Sequence, residues 1–258
     1  MDRREFNTTL AALSLLNLVA PAAMAQPTPS NRLRVGMLIH SDMILLDLVG
    51  PLTVFNIMQA DVQLIGKTAQ PVITDVRVAV APTVSFDNAP KPLDVLFVPG
   101  GLKGTVAAMQ DRQTVDFIKE QGNAARLVTS VCTGSLLLGA AGLLKGYQAT
   151  SHWYVLHLLP HMGAVTRTDR VVEDRNRMTG GGVTAGIDLA LTIAARLAGE
   201  DTAKRIQLLI EYDPKPPFNA GSPEQAGQAI AGEVLKRRQE LIREAEAAAK
   251  AAGATMNL

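Results

Sequence analysis

The stretch RLVTSVCTGSLLLGAAGLL, from Arg126 to Leu144, joins an apolar run to a run of small and apolar residues through a cysteine. Its first part, RLVTSV, is apolar and β-branched, which predicts a buried strand. Its last part, TGSLLLGAAGLL, predicts a helix with Gly142 near its end. Cys132, the only cysteine in the chain, lies at the junction between the two. A lone thiol at a strand-to-helix junction is the first candidate for chemistry.

Outward from this stretch, apolar strands alternate with helices. The segments LRVGMLI (33–39) and LDVLFVPGG (93–101) predict buried strands, and DLVGPLTVFNIMQA (47–60) predicts a helix. The alternating polar and apolar residues of 164–182 predict a hairpin at a sheet edge. Strands that are apolar throughout are typical of a parallel sheet covered on both faces. We therefore predict an α/β fold with a mostly parallel sheet.

The N-terminus predicts export. Residues 1–25 contain the pair Arg3 and Arg4, then an apolar stretch, then small residues that suit a signal peptidase. The arginine pair resembles a twin-arginine export signal, so we expect a periplasmic protein with 26–32 as a short leader. The apolar run ends at Pro21, which is short for a bilayer span, so no stable membrane anchor is expected.

Composition limits the remaining possibilities. A chain of 258 residues suits one α/β domain, predicted at 33–212, followed by a Pro-rich connector and a charged C-terminal helix at 213–258. That helix either packs by one face, for instance on a partner subunit, or is a solvated tail. A net charge of +1 without a dense basic stripe predicts no nucleic-acid partner. One cysteine and four histidines predict no internal disulfide and no structural zinc site.

The residues around Cys132 predict a nucleophile. In parallel α/β sheets, functional sites lie beyond the carboxyl ends of the strands. The small residues Thr133 and Gly134 predict a tight, strained elbow that presents the thiol at the start of a helix. The helix dipole there is expected to lower the pKa of the thiol. The alternative is a buried small hydrophobic side chain, since free cysteines are often buried.

Two further positions are candidates for the same site. Gly100 and Gly101 follow a buried strand, where backbone N–H groups either stabilise negative charge on a substrate or form an ordinary turn. Asp47 stands between Leu46 and Leu48, so it needs either a helix to cap or a buried partner. A carboxyl near a thiolate is pushed toward protonation and can then donate a proton.

His152 is the candidate for a Cys–His pair, because it lies one predicted helix beyond Cys132. The alternative is a histidine satisfied in the core or at the surface. The triple glycine at 180–182 lacks the Lys-Ser/Thr of a phosphate-binding loop, so it does not predict a nucleotide site.

Six stretches together resemble the DJ-1/PfpI superfamily and, within it, the isonitrile hydratase branch. They are TSVCTGSLLLGAAGLLKG, VLFVPGG, LLDLVGP, TSHWYVLHLLP, GGGVTAGIDLAL and IQLLIEYDPKPPF. The resemblance implies a flavodoxin-like three-layer sandwich, similar to class I glutamine amidotransferases, that usually forms a homodimer. It also implies a small-molecule substrate and no cofactor.

The resemblance implies roles for particular residues. Cys132 corresponds to the nucleophile, Asp47 to the acid beside it, and Thr133 to a third catalytic residue. Gly101 corresponds to the backbone oxyanion position, and the predicted oxyanion and substrate-binding set is Gly100, Gly101, Gly134 and His152. Protease-like members carry histidine where this chain has Thr133, which argues against peptidase activity.

The implied activity is cysteine-dependent hydration of isonitriles to N-substituted formamides. Two alternatives remain open at the level of sequence. Cys132 is either a redox or electrophile sensor without enzymatic activity, or the nucleophile of a glyoxalase-like enzyme that acts on small aldehydes.

Overall fold

A central sheet organises residues 32–258, the part of the chain that the computed structural model describes. The strands are β1 (Arg34–Leu38), β2 (Asp61–Gly66), β3 (Val72–Ile73), β4 (Ala79–Val80), β5 (Val84–Ser85), β6 (Val95–Val98), β7 (Leu127–Val131), β8 (Gln148–Ala149), β9 (Val165–Thr166), β10 (Val171–Asp174) and β11 (Arg177–Gly180). The helices are α1 (Leu45–Ile57), α2 (Leu102–Gln110), α3 (Arg112–Ala124), α4 (Gly134–Ala140), α5 (Ala185–Ala198), α6 (Glu200–Leu209), α7 (Pro223–Ala226) and α8 (Gln228–Thr255). Short 3₁₀ helices cover Phe86–Asn88 and Leu156–Met162.

Seven strands form the main sheet in the order β10-β11-β7-β6-β1-β2-β5. Every neighbouring pair in this sheet is parallel except β10 and β11, which are antiparallel. The predicted parallel sheet and the predicted hairpin are both confirmed. Of the two hairpin strands, only β10 lies at an edge of the sheet, because β11 also pairs with β7.

The residues of β6 show why helices cover both faces of the sheet. Val95 and Phe97 belong to one buried cluster, which includes residues of α1, α5 and α6. Leu96 and Val98 belong to a second cluster, which includes residues of α2, α3, α4 and α8. Successive side chains of a strand point to opposite faces, so a strand that is apolar throughout needs cover on both sides. This arrangement confirms the three-layer sandwich.

The last helix divides into an exposed half and a packed half. Ala245, Ala248 and Ala249 of α8 are buried and belong to the same hydrophobic cluster as residues of α2 and α4. Residues 232–240 of the same helix are exposed. The C-terminal half of α8 therefore packs against its own α/β domain through small side chains.

The predicted signal peptide, residues 1–25, lies outside the described residues, as does the predicted leader apart from Arg32. Within residues 32–258, no helix combines the length and the apolar character that a bilayer crossing needs.

Replacing Phe97 by alanine is expected to lower the free energy of unfolding by about 3–5 kcal/mol. Phe97 is fully buried, and its ring meets that of Phe55 edge-on at a centroid distance of 5.9 Å. Urea denaturation measures the loss. The matched control is Phe218→Ala, since Phe218 is 78% exposed, and we expect a change below about 0.5 kcal/mol there. Equal losses in both variants would contradict this account of the core, and Phe97→Leu provides a milder test.

Candidate functional site

Cys132 occupies a strained bend between β7 and α4. Its φ is +57°, in the left-handed region that side-chain-bearing residues rarely adopt. Its N–H donates to the carbonyl oxygens of Gly180 (3.2 Å) and Gly181 (2.7 Å). Its carbonyl oxygen accepts from the hydroxyl of Ser151 (3.0 Å) and the N–H of His152 (3.3 Å). The predicted elbow is confirmed, and these bonds hold its backbone in place.

Gly134 allows the helix after the bend to approach the end of β6. A Cβ atom at this position would collide with the carbonyl oxygen of Val98 and lie 2.8 Å from that of Pro99. Any larger residue would push α4 away from the sheet. Gly134 therefore acts here through close packing, and its contact with a substrate stays a prediction.

Asp47 reaches the site from α1. It is the third residue of the helix and fully buried, and Ile44 occupies the N-cap, so the capping alternative is wrong. Its Oδ2 accepts from the N–H of Gly100 at 2.9 Å. Its Oδ1 is buried and has no hydrogen-bond partner among residues 32–258. The helix start is instead bound by Asp75, whose Oδ1 accepts from the N–H of Leu45 at 2.9 Å.

Asp47 and Cys132 are close enough for each to shift the pKa of the other. Burial raises the pKa of Asp47 to about 7, while the N–H of Gly100 and the thiol act in the opposite direction. Burial also raises the pKa of Cys132 well above its usual value, and the negative charge of Asp47 adds to the rise. The N–H groups of Thr133 and Gly101 only partly offset these effects. The pKa of the thiol is therefore raised overall, so the expectation of a lowered pKa is wrong, although the N–H groups at the elbow do act in the lowering direction.

Thr133 binds the neighbouring loop through its hydroxyl group. Its Oγ1 accepts from the N–H of Gly101 at 2.9 Å and shares a hydrogen bond with the hydroxyl of Thr105 at 2.8 Å. The side chain is fully buried and positions the loop, and its direct part in catalysis stays a prediction. Thr105 was missed because nothing in the sequence of α2 places it opposite Thr133.

The two predicted oxyanion donors are already engaged. Gly100 donates to Asp47, and Gly101 donates to the hydroxyl of Thr133. Gly101 adopts a φ of +121°, which favours glycine and turns its N–H toward the elbow. Gly100 is therefore a positioning residue for Asp47 in this arrangement, while Gly101 is also close enough to lower the pKa of Cys132.

His152 is joined to the elbow through its backbone. Its ring contacts that of Tyr154, with centroids 3.8 Å apart and planes tilted by 32°, and its Nδ1 is buried without a hydrogen-bond partner in the described part of the chain. Burial lowers its pKa to about 4, and the positive charge of Arg238 contributes. The imidazole is thus neutral at pH 7. The structure does not support a charged Cys–His pair.

A cavity of about 320 Å³ adjoins the elbow. Ile44, His152, Tyr154 and Val183 form one side of it. The N–H of Ile44 donates to the carbonyl oxygen of Gly100, and the N–H of His152 donates to that of Cys132, so two walls are attached directly to the site. Cys132 itself is only 1% exposed. Among residues 32–258, no group of three or more His, Cys, Asp or Glu side chains is placed to hold a metal ion.

The site consists of a cysteine at a strained bend with a buried acid beside it. Together with the mostly parallel sheet, it places the chain among α/β proteins whose functional site is built around a cysteine. The sequence model of the DJ-1/PfpI family matches residues 33–196. The chain belongs to the DJ-1/PfpI family.

Three relatives match nearly the whole of their own length. Isonitrile hydratase from Pseudomonas putida is 47% identical over 227 residues, which are 88% of this chain and 99% of that protein. The crystal structure of a ThiJ/PfpI family protein from Pseudomonas syringae has a TM-score of 0.83 and 42% identity, covering 90% of this chain and 99% of the other. Drosophila melanogaster DJ-1β, with a TM-score of 0.64 and 21% identity over 71% of this chain and all of its own, shares the fold.

The variant Asp47→Asn is expected to become progressively more stable than the wild type as the pH rises from about 4 to 7. The folded carboxyl keeps its proton up to about pH 7, so the folded state binds more protons than the unfolded state in this range. The free energy of unfolding of the wild type therefore falls relative to that of the variant between about pH 4 and 7. The expected difference is about 2–4 kcal/mol, because each pH unit contributes up to about 1.4 kcal/mol.

Urea denaturation at several pH values measures this difference. Asp213→Asn, at an exposed site, controls for the change in net charge. A constant difference between wild type and Asp47→Asn across the range would show that the buried carboxyl is not held protonated.

Proposed function

We propose that this protein hydrates isonitriles to N-substituted formamides, with Cys132 as the nucleophile and Asp47 as the proton donor. The observation that carries the proposal is the 47% identity to an isonitrile hydratase over 99% of that protein's length. The buried thiol–carboxyl pair supports it, because this reaction needs a nucleophile and a proton at one carbon atom.

The proposed first step joins the substrate to the protein. The Sγ of Cys132 forms a bond to the terminal carbon of the isonitrile, and the proton of the Cys132–Asp47 pair goes to the same carbon. The product is a thioimidate, with a carbon–nitrogen double bond and a carbon–sulfur bond. Asp47 has a buried oxygen, Oδ1, without a hydrogen-bond partner among the described residues, and this oxygen is suited to carrying the proton.

The second step releases the formamide. Water adds to the carbon–nitrogen double bond, its oxygen to carbon and one proton to nitrogen. The carbon–sulfur bond then breaks, its electron pair returns to sulfur, and the hydroxyl proton returns to the Cys132–Asp47 pair. The sum is one isonitrile and one water giving one formamide, without a cofactor. Thr133 acts in this scheme by holding the loop that carries Gly101.

The raised pKa values favour a substrate of this kind. A thiol–carboxyl pair that retains one proton at neutral pH can provide both the attacking sulfur and the proton that the isonitrile carbon accepts. An isonitrile is small and uncharged, so it loses little hydration when it enters a buried site. A sensor that reacts with peroxide needs an exposed thiolate, and the burial and raised pKa of Cys132 argue against that alternative.

Assembly and export belong to the same proposal. Leu208 and Leu209 of α6, with 81% and 69% exposure, are apolar side chains suited to a homodimer contact. The arginine pair at Arg3 and Arg4 supports export to the periplasm by a twin-arginine signal.

The purified protein is expected to convert an alkyl isonitrile to the corresponding formamide, and Cys132→Ala is expected to reduce kcat/KM by a factor of roughly 10³ or more. Chromatography of the formamide measures turnover, and thermal melting verifies that the variant is folded. Full turnover by Cys132→Ala would eliminate covalent catalysis. A glyoxal assayed on the same preparation tests the aldehyde alternative, and peroxide titration with mass spectrometry tests the sensor alternative.

The value of kcat/KM is expected to rise with pH through about 7 and then stay level. Below that pH both members of the pair are protonated and the sulfur is a poor nucleophile. Above that pH the Cys132–Asp47 pair has lost one of its two protons. The remaining proton stays bound at higher pH because the pKa of Cys132 is raised. Initial rates across the pH range measure the profile. A rate that is highest in acid and falls through pH 7 would contradict this assignment.

A further inference from the structure

The cavity beside the elbow is lined mainly by apolar side chains and carries one permanent positive charge. Its apolar side chains come from the sheet domain and from α8: Ile44, Trp153, Val183, Ile230 and Val234. Arg238 of α8 is the one Lys, Arg, Asp or Glu side chain that lines it. His152 also lines the cavity but is neutral at pH 7.

Arg238 differs from the neighbouring arginines of α8 in having no acidic partner. Arg237 pairs with Glu233, and Arg243 pairs with Glu240. Arg238 has no carboxylate oxygen within 4.0 Å anywhere in residues 32–258. A guanidinium beside apolar surface, without a protein anion, is well suited to bind a carboxylate on a ligand.

Arg238 lines the same cavity as His152, which is bonded to the elbow. Tyr154 lines this cavity as well. Burial raises the pKa of Tyr154, the charge of Cys132 adds to the rise and that of Arg238 opposes it, so Tyr154 lies within electrostatic reach of both groups. The rings of His152 and Tyr154 contact each other at an angle of 32°, and the N–H of His152 donates to the carbonyl oxygen of Cys132. A molecule that extends from Arg238 along these rings therefore leads toward Cys132.

We propose that the substrate is an isonitrile that carries a carboxylate, with the carboxylate bound by Arg238 and the isocyano group directed to Cys132. The apolar chain between these groups lies against Ile44, Val183 and Val234. This inference rests on the proposed function and narrows its substrate class. The volume of about 320 Å³ is at the lower end of the range for small-molecule pockets, which is about 300–1,000 Å³, and suits a molecule of this size.

The test compares a straight-chain isocyanohexanoate, with the isocyano group at the far end of the chain, with its methyl ester. Wild-type protein is expected to turn over the acid with a kcat/KM about three- to tenfold above that of the ester, as one partly exposed ion pair allows. Arg238→Gln is expected to bring this ratio close to one, and Arg238→Lys is expected to retain part of it. The matched control is Arg237→Gln, which removes the same charge from the same helix and is expected to leave the ratio unchanged.

A binding measurement separates failure of this inference from failure of the proposed function. Calorimetry with the corresponding formamidohexanoate is expected to show binding to wild type and to Arg237→Gln, and severalfold weaker binding to Arg238→Gln. Turnover of the ester without a preference for the acid would overturn the role of Arg238 and leave isonitrile hydration intact. Absence of turnover with both compounds would overturn the proposed function, and equal calorimetric affinity in all three proteins would overturn the carboxylate site.

Discussion

The close approach of two strand ends is the constraint on which the site depends. Parallel pairing of β6 with β7 sets Val98 beside Ser130, so the glycines after β6 meet the bend after β7. The hydrogen bond from the N–H of Gly100 to Asp47 then connects helix α1 to the same point. Three segments that are distant in sequence converge there. Loosening any one of them separates the thiol from its acid.

The site is costly for the fold and needs a large core around it. A side-chain-bearing residue with positive φ costs about 1–3 kcal/mol, and a carboxyl without enough hydrogen bonds adds a desolvation penalty. Cys132 and Asp47 each carry one of these costs. The strands beside them are buried on both faces, so the surrounding sheet holds the bend in place. A smaller domain would relax by exposing the carboxyl or straightening the bend.

Local patterns were sufficient to predict the sheet and the elbow, because strand, bend and helix are adjacent in the sequence around Cys132. The pKa of the Cys132 thiol could not be predicted from local patterns. The helix start alone lowers a thiol pKa, yet burial and Asp47 outweigh it, and both depend on distant segments. The role of Thr133 likewise depends on Thr105, and the cap of α1 on Asp75, through contacts that no local spacing reveals.

The groups that surround the thiol bear on which chemistry the site can catalyse. A cysteine that attacks an amide is usually activated by a nearby cation, which stabilises the thiolate before the reaction. Here the neighbouring imidazole of His152 is neutral and the partner of Cys132 is an acid. A thiol paired with an acid becomes reactive when the sulfur attacks, and the proton is delivered to, the same substrate atom. An isonitrile carbon accepts both, which is why the raised pKa values are consistent with the proposed reaction although they contradict the expectation of a stable thiolate.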